Sequence, residues 1–481
     1  MSYTHDLIVI GAGSGGLGAA GFGGGLGLRV ALIDRTEQNF GGDCLNYGCV
    51  PSKALLHVAA QFAGARRATD FGLEIAGRAD FKRVMEYVHA RQDVIRKNES
   101  PQHLREEYGI ECIVGEAMLT GKREVSVNGR KLSAPRIVLA TGSKPRKLDV
   151  PGAETVKQWD NESIFWELDE LPEHLLLVGG GPIACELGQA FRRLGSAVTI
   201  VNRGERLSTK DPAPCVRALT KRLETEGVRI LNHCEVERFP SPTTAKLTGD
   251  GAKANQTVEF THCLVAIGRS VTTQGLGLEL AGVQTKDGRI VADDYYRTTN
   301  PAIFTVGDAY GREKFSHGAE KHNTDLWTNW LSPIDRRHRL DHFSWVTFTD
   351  PEIATFGLTA EQLDQRNKDY ETIEVSLAED DRAVAADYRD GVLILYLSTG
   401  PLGGGKLLGG CLAAPAAGEM IQELHLLQTL GKDYSTLTNK IYAYPVGSRI
   451  NQKAARQRAE KKIFGPWAKR ALRAAYRLQN R

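Results

Sequence analysis

Long apolar runs are missing: no stretch of eighteen apolar residues occurs in the 481-residue chain, so nothing in it is suited to span a bilayer as a helix. The N-terminus lacks the charged-then-apolar pattern of a cleaved targeting peptide. Cysteine is sparse, with eight in all, and only one close pair exists. A second pair with which to build a four-sulphur zinc site is absent. Charge of one sign is not in large excess either: 61 Lys and Arg face 58 Asp and Glu, a net of +3. That balance hides an asymmetry. Residues 449–481 hold eleven Lys or Arg and the single acid Glu460, a net of +10, which leaves −7 for the rest. A hydrophobic share of 41% and a charged share of 25% are those of a soluble globular protein. At this length two to four domains are expected rather than one core.

Two nucleotide-binding patterns stand out. The first is an apolar strand, Asp6 to Ile10, that runs into Gly11-Ala12-Gly13-Ser14-Gly15-Gly16 and then a helix. Gly11 permits the tight turn, Gly13 lets a pyrophosphate approach the backbone, and Gly16 lets helix and strand close together. The anion then sits at a helix N-terminus. A second strand, Arg29 to Ile33, ends in Asp34, spaced to bind an adenosine ribose. The helix between them carries Gly21, Gly23, Gly24, Gly25 and Gly27. Each helical glycine costs about 1 kcal/mol relative to alanine, so this helix must be held by packing or be looser than usual.

The second pattern follows Pro151-Gly152. A strand from His174 to Val178 meets Gly179-Gly180-Gly181-Pro182-Ile183-Ala184 and a helix to Leu194, and the next strand is Ala197 to Val201. An NAD site wants a carboxylate after that strand, but the residue is Asn202. Arg203 and Arg206 follow, and two guanidinium groups suit a 2′-phosphate. NADPH is therefore expected over NADH. Two such units give two dinucleotide sites.

The close cysteine pair lies in Gly41-Gly42-Asp43-Cys44-Leu45-Asn46-Tyr47-Gly48-Cys49-Val50-Pro51-Ser52-Lys53. A structural disulphide or half a zinc site is the alternative to a redox pair. The other six cysteines, Cys112, Cys185, Cys215, Cys234, Cys263 and Cys411, stand among apolar residues and read as reduced core. An isolated close pair in such a chain favours the redox reading.

This motif resembles the active-site helix of the class I pyridine nucleotide-disulphide oxidoreductases, the family of dihydrolipoyl dehydrogenase, glutathione reductase and mercuric reductase. The resemblance covers nearly the whole chain. It implies an α/β fold with two Rossmann-like domains, for FAD and NAD(P), and an α+β dimerisation domain. By resemblance, Cys49 is the flavin-facing charge-transfer thiol and Cys44 the exchange thiol that meets substrate. Lys53 lies near the flavin ring and pairs with Glu186. Gly42, the Thr141-Gly142 segment and Asp308-Ala309 join the first fingerprint in holding FAD. Gly268-Arg269 closes the nicotinamide domain, whose binding set also includes Gly179, Gly181 and Ala184. His317, after Phe315-Ser316, reads as structural. The implied domains are 1–150 and 276–340 for FAD, 151–275 for NAD(P), 341–448 for dimerisation, and a basic tail, 449–481. A homodimer follows.

One part of the family pattern fails. Where these enzymes carry His-Pro-Thr-x-x-Glu, this chain reads Tyr444-Pro445-Val446-Gly447-Ser448-Arg449. The acid–base dyad is gone, and tyrosine, with a pKa near ~10, is a poor base at neutral pH. Mercuric reductase also places tyrosine here, but its extra C-terminal cysteine pair has no counterpart after Cys411. The expected activity is electron transfer from NAD(P)H through FAD to a Cys44–Cys49 disulphide and on to a disulphide or metal ion. Direct reduction of a quinone at a membrane, and a non-catalytic redox sensor, are the alternatives. In the tail, Ile463, Phe464, Trp467, Leu472, Tyr476 and Leu478 interleave with the charges, which suits a solvated helix or an anionic membrane surface. Nucleic acid is the least favoured partner. The expected location is cytoplasmic, with peripheral contact at the inner membrane face as the tail's option. No resident metal is expected.

Overall fold

The computed structural model describes residues 2–400, 404–463 and 465–479. Leu7–Ile10 is the middle of a five-stranded parallel sheet, flanked by Val30–Asp34 and Arg136–Leu139. Glu111–Val114 and Ile303–Thr305 complete its two edges. The inner strands are apolar on both faces because both are covered: helices pack on one, and the antiparallel strands between Met118 and Ser133, with Leu276, Leu278 and Val283, pack on the other. The register pairs Ile10 with Ile33, so Gly11 and Asp34 emerge side by side. The chain leaves this sheet after Leu139 and returns only at Ile303, after building the second unit.

That unit has a parallel sheet in the order Val228–Asn232, Ala197–Asn202, His174–Val178, His262–Val265 and Gln158–Trp159. The third unit is antiparallel. Its strands run Ser344–Thr347, Glu352–Gly357, Leu407–Ala414, Val392–Ser398 and Tyr370–Ser376.

The glycine-rich helix, Ser14–Gly25, is held by close packing. A methyl built on Gly24 would lie 2.6 Å from the Tyr108 carbonyl oxygen, and one on Gly23 would meet Val30, Trp327 and Leu7 at 3.1–3.4 Å. Gly21 and Gly25 have nothing within 4 Å of such a methyl, so not every glycine answers to packing.

The basic tail divides. Helix Arg449–Ile463 buries Ile450, Asn451, Gln452, Ala454 and Ala455, where the aliphatic residues join Phe356, Leu393 and Leu424 in the core of the third unit. Arg458 pairs with Glu371 at 2.9 Å. This half of the tail is structural. Helix Pro466–Gln479 follows, with Leu472, Tyr476 and Leu478 exposed. Phe464 and the side chains of Ile463 and Trp467 lie outside the described residues. Among the described residues, no helix is long and apolar enough to cross a membrane.

Candidate active site

The cysteine pair is placed by glycines that no other residue replaces cheaply. Gly41 and Gly42 have φ of +93° and +60°, a region L side chains avoid. A methyl on Gly42 would stand 2.4 Å from the Cα of Gly13. The short helix Gly42–Asn46 therefore backs directly onto the first fingerprint and carries Cys44 beside it. Cys49 opens the long helix Cys49–Ala68. Cys44 is half-buried and Cys49 exposed, and no disulphide joins them in the structure.

The two sulphurs share a hydrogen bond, and Ser316 Oγ lies 3.5 Å from Cys49 Sγ. The bond from Cys44 is the main force that brings the Cys49 thiol down to about 6; Ser316 and the Lys53 charge add to it, and burial opposes it. The same bond, with burial and the Cys49 charge, pushes Cys44 well above the ordinary thiol range. The two sulphurs therefore titrate as a pair, with Cys49 the more acidic.

One turn along the helix, Lys53 Nζ lies 2.8 Å from Glu186 Oε2. The other carboxylate oxygen, Oε1, accepts the Phe348 N–H at 2.9 Å. Lys53 also sits 4.4 Å from the centroid of the Phe348 ring. Glu186 is buried on helix Pro182–Leu194. The carboxylate thus ties the cysteine helix to the second and third units.

The first fingerprint has the shape its glycines predict. A methyl on Gly11 would fall 2.3 Å from the Ala140 carbonyl oxygen, and one on Gly16 would fall 1.7 Å from that of Gly11. Gly13 caps helix Ser14–Gly25 with no side-chain partner, so its first N–H groups face outward. Asp34 Oδ2 accepts the Ala12 N–H at 2.7 Å, and Oδ1 accepts from Arg35 N and Asn39 Nδ2. Thr141 Oγ donates to Thr272 O, and Gly142 has φ +68°. Asp308 Oδ2 accepts from Ser143 Oγ at 2.5 Å, and burial raises the Asp308 carboxyl. Ala309 is buried beside it. A glycine cradle, an uncapped helix end and two carboxylates fit a dinucleotide with a polyol chain.

Arg269 is placed differently from a solvent-facing nucleotide clamp. It is largely buried, lies 2.9 Å from Asp43, and donates to Ser143 Oγ and Asn161 Oδ1. Asp308 lies at 4.0 Å. It thereby links the cysteine segment to the Asp308 turn.

In the second unit, a methyl on Gly179 (φ +118°) would meet the Ala266 oxygen at 2.5 Å, whereas one on Gly181 meets nothing within 4 Å. Gly181 caps the helix and faces open space; Ala184 is buried against the sheet, and Gly268 has φ +105°. Asn202 is buried and self-contained: it donates to Asn232 Oδ1 and Gly204 O, and accepts Gly204 N–H. Arg203 is exposed. Arg206 donates one bond, to Thr209 O. Its Nε lies 3.6 Å from Glu205 and, like Nη1, makes no hydrogen bond.

Tyr444 belongs to the third unit. It is exposed, donates to Asp381 Oδ2 at 3.2 Å, and stacks with Arg449. Within one subunit, no described hydrogen bond or ring contact joins it to Cys44, Cys49 or Lys53. His317 accepts a structural role: its Nε2 donates to Ser344 O, and its ring stacks on Phe343. The six remaining cysteines are all buried.

Several participants carry no motif. Ser316, Phe348 and Asn161 reach the site only through the fold, as does Glu99 at the end of helix Phe81–Glu99. Behind the Asp308 turn, Glu313, His322 and His338 form a buried cluster with metal-ligand spacing. His322 Nδ1 accepts the Gly307 N–H, so its Nε2 carries a proton and donates to Glu313 rather than to a cation. The two histidines bring Glu313 down to about 2 against the effect of burial.

The sequence profile of the family described as pyridine nucleotide-disulphide oxidoreductase matches residues 5–328, and that of its dimerisation domain matches 343–455. The chain belongs to the class I pyridine nucleotide-disulphide oxidoreductases. It is 32% identical to a mercuric reductase of Staphylococcus aureus over 92% of this chain and 80% of that one. Against a mercuric reductase of Streptomyces lividans the identity is 33%, over 92% and 93%. A dihydrolipoyl dehydrogenase of Thermus scotoductus is 31% identical over 94% and 97%. Among solved structures, the HOCl-induced flavoprotein disulfide reductase RclA of Escherichia coli superposes with a TM-score of 0.82 at 25% identity, over 94% and 99%. The expected α/β architecture is the one observed. As a member of this family the oxidoreductase is FAD-dependent, draws electrons from NAD(P)H, and carries the domain through which such chains form homodimers.

Proposed function

We propose that this oxidoreductase delivers electrons through Cys44 and Cys49 to a small disulphide or a metal ion that meets Cys44. The observation that carries this reading is the coupled pair itself: Cys49 opens its helix with its thiol lowered by Cys44, Ser316 and Lys53, and Cys44 is raised beside it. That is the division of labour a two-thiol outlet needs, with one sulphur facing the electron source and one the acceptor. FAD, when bound, supplies the two-electron carrier between the nicotinamide and the cysteines. The Gly11-Gly13-Gly16 turn, Asp34, Gly42, Thr141-Gly142 and Asp308-Ala309 are the residues that would hold it. Lys53, fixed by Glu186, orients a positive charge beside Cys49. The test is Cys44→Ser. Turnover with disulphides and with Hg(II) thiolates disappears while flavin content is unchanged; a variant that retains turnover shows that electrons leave without Cys44.

The nicotinamide is NADPH. Two observations support this: an exposed Arg203 and an Arg206 whose Nε and Nη1 make no hydrogen bond, beside an Asn202 that offers no carboxylate. A higher kcat/KM with NADH overturns it. A second reading rests on helix Pro466–Gln479, where Leu472 and Tyr476 lie one turn apart and exposed among basic residues. That helix suits an anionic membrane surface, with a quinone as acceptor. Equal liposome co-sedimentation of the full chain and a chain ending at Gly465 removes it.

A further inference from the structure

The Asp308 turn is held from behind. Helix Ser316–Leu331 places two buried side chains at consecutive positions, His322 and Asn323. Asn323 Nδ2 donates to Gly15 O at 3.0 Å, and the Gly307 N–H donates to His322 Nδ1 at 3.1 Å. Gly15 belongs to the first fingerprint, and Gly307 opens the turn of Asp308. The two segments are close: a methyl on Gly15 would stand 3.4 Å from the Gly307 nitrogen. One helix therefore sets both halves of the dinucleotide cradle, through residues that belong to neither fingerprint.

The bond to Gly307 depends on the state of the imidazole. A ring nitrogen that accepts an N–H has no proton of its own. The proton of neutral His322 is thus on Nε2, which donates to Glu313 Oε2 at 3.1 Å. His338 Nε2 lies 3.0 Å from the same oxygen, so one carboxylate oxygen serves two histidines. The other groups around His322 are the rings of Tyr296 and Tyr310, at 5.1 and 5.2 Å, and Asp325 on its own helix, which is engaged by Lys321 and the Tyr296 hydroxyl. Asp308 itself is turned to Ser143. Helix Ser14–Gly25, packed against this one, carries no titratable side chain. Burial disfavours a charge on His322.

We propose that His322 is a positioning residue for the flavin: as acceptor of the Gly307 N–H it fixes the Gly307–Asp308 turn against the first fingerprint, and it does so only while Nδ1 is bare. This rests on the reading above that the Asp308 turn holds the polyol chain. Once Nδ1 takes a proton, donor faces donor at 3.1 Å. The turn then relaxes to find another acceptor, and flavin must restore it on binding. The flavin-bound form therefore binds that proton less readily than the empty form, and retention of flavin falls as pH falls.

The test is flavin retention by the holoenzyme. Wild type, His322→Gln and His322→Phe are diluted serially from about pH 8 to about pH 4.5. Released FAD is read by its fluorescence, and far-UV circular dichroism follows folding at each pH. Glutamine offers an oxygen to Gly307 and an N–H to Glu313 and does not titrate. Asp308 titrates alike in both proteins, so a difference between their profiles belongs to His322. Below the ordinary histidine range wild type loses flavin affinity by about 10-fold more than His322→Gln. Parallel profiles overturn the proposal. Phenylalanine has no acceptor, so His322→Phe binds flavin about 10–100-fold more weakly even at pH 8, the effect of one buried N–H left unpaired; unchanged affinity there also overturns it. If that variant does not fold, the wild-type and glutamine profiles decide alone. Asp308→Ala separates the two levels. If it binds flavin normally, the Asp308 reading fails and this one with it; if it binds weakly while His322→Phe is normal, only the His322 assignment fails.

Discussion

Removal of the Glu186 carboxylate has a calculable consequence, because both its oxygens are committed. Oε2 faces Lys53 at 2.8 Å and Oε1 accepts the Phe348 N–H at 2.9 Å. A hydrogen bond to a charged group contributes about 1.5–3 kcal/mol. The ion pair lies between regimes, since the Glu186 side chain is 7% exposed and that of Lys53 36%. Exposed pairs give about 0.2–1 kcal/mol and breaking a buried one costs about 3–5, so a coupling of about 1–2 is reasonable here. Glu186→Ala loses both, about 3–4 kcal/mol. Glu186→Gln keeps an acceptor for Phe348 but turns an amide N–H toward Lys53, for about 2. Global unfolding of a multidomain chain is not two-state, so the local readout is amide exchange at Phe348. In Glu186→Ala, losing about 2 kcal/mol of protection there speeds exchange roughly 30-fold. A Lys53→Met, Glu186→Gln cycle isolates the pair. Unchanged exchange at Phe348 together with a coupling under about 0.5 kcal/mol refutes the reasoning.

Two further perturbations follow from the flavin side of the site. His322 is held neutral by burial, its pKa lowered from the ordinary 6.5, so an unfolded chain binds the proton first and stability falls as pH drops below that value. Glu313, depressed to about 2, contributes stability that is full above about 4.5 and lost as pH falls toward 2. Scanning fluorimetry at a series of pH values checks this: the melting temperature is flat above neutrality and declines below about 6.5, and His322→Gln flattens that upper decline. Gly42→Ala forces a methyl to 2.4 Å from Gly13 at φ +60°, which costs about 2–4 kcal/mol from left-handed strain and overpacking. Flavin titration then shows weaker binding, whereas Gly21→Ala, with nothing within 4 Å, binds flavin normally and gains up to about 1 kcal/mol.

Much of the fold is legible because local chemistry and global architecture agree. Strand, glycine turn, helix, strand and acid occur in order, and a methyl on Gly11, Gly16, Gly42 or Gly179 would strike backbone, whereas Gly181 faces open space. The helix of glycines was legible only in part. Gly23 faces the strand residue Leu7 and Gly24 faces Tyr108 at the end of helix Pro101–Tyr108, and no local pattern reveals which glycines are pressed and which are free. The basic tail misled for a related reason. Its charge count is a sum, and a sum does not register that Ile450, Ala454 and Ala455 share one helical face and complete the core of the dimerisation domain. Arg269 shows the limit of a motif: its position predicts a nucleotide contact, but its guanidinium is drawn to Asp43 and Ser143 from a different unit.

The coupling of the two cysteines shows what the broken dyad leaves undone. A base at the exchange thiol is required only because Cys44 keeps the proton, and Cys44 keeps it because Cys49 does not. The same hydrogen bond that lowers Cys49 raises Cys44, so stabilising one thiolate makes the other thiol harder to activate. With Tyr444 where the family pattern places a histidine, the residue assigned to meet that demand is a poor base at neutral pH.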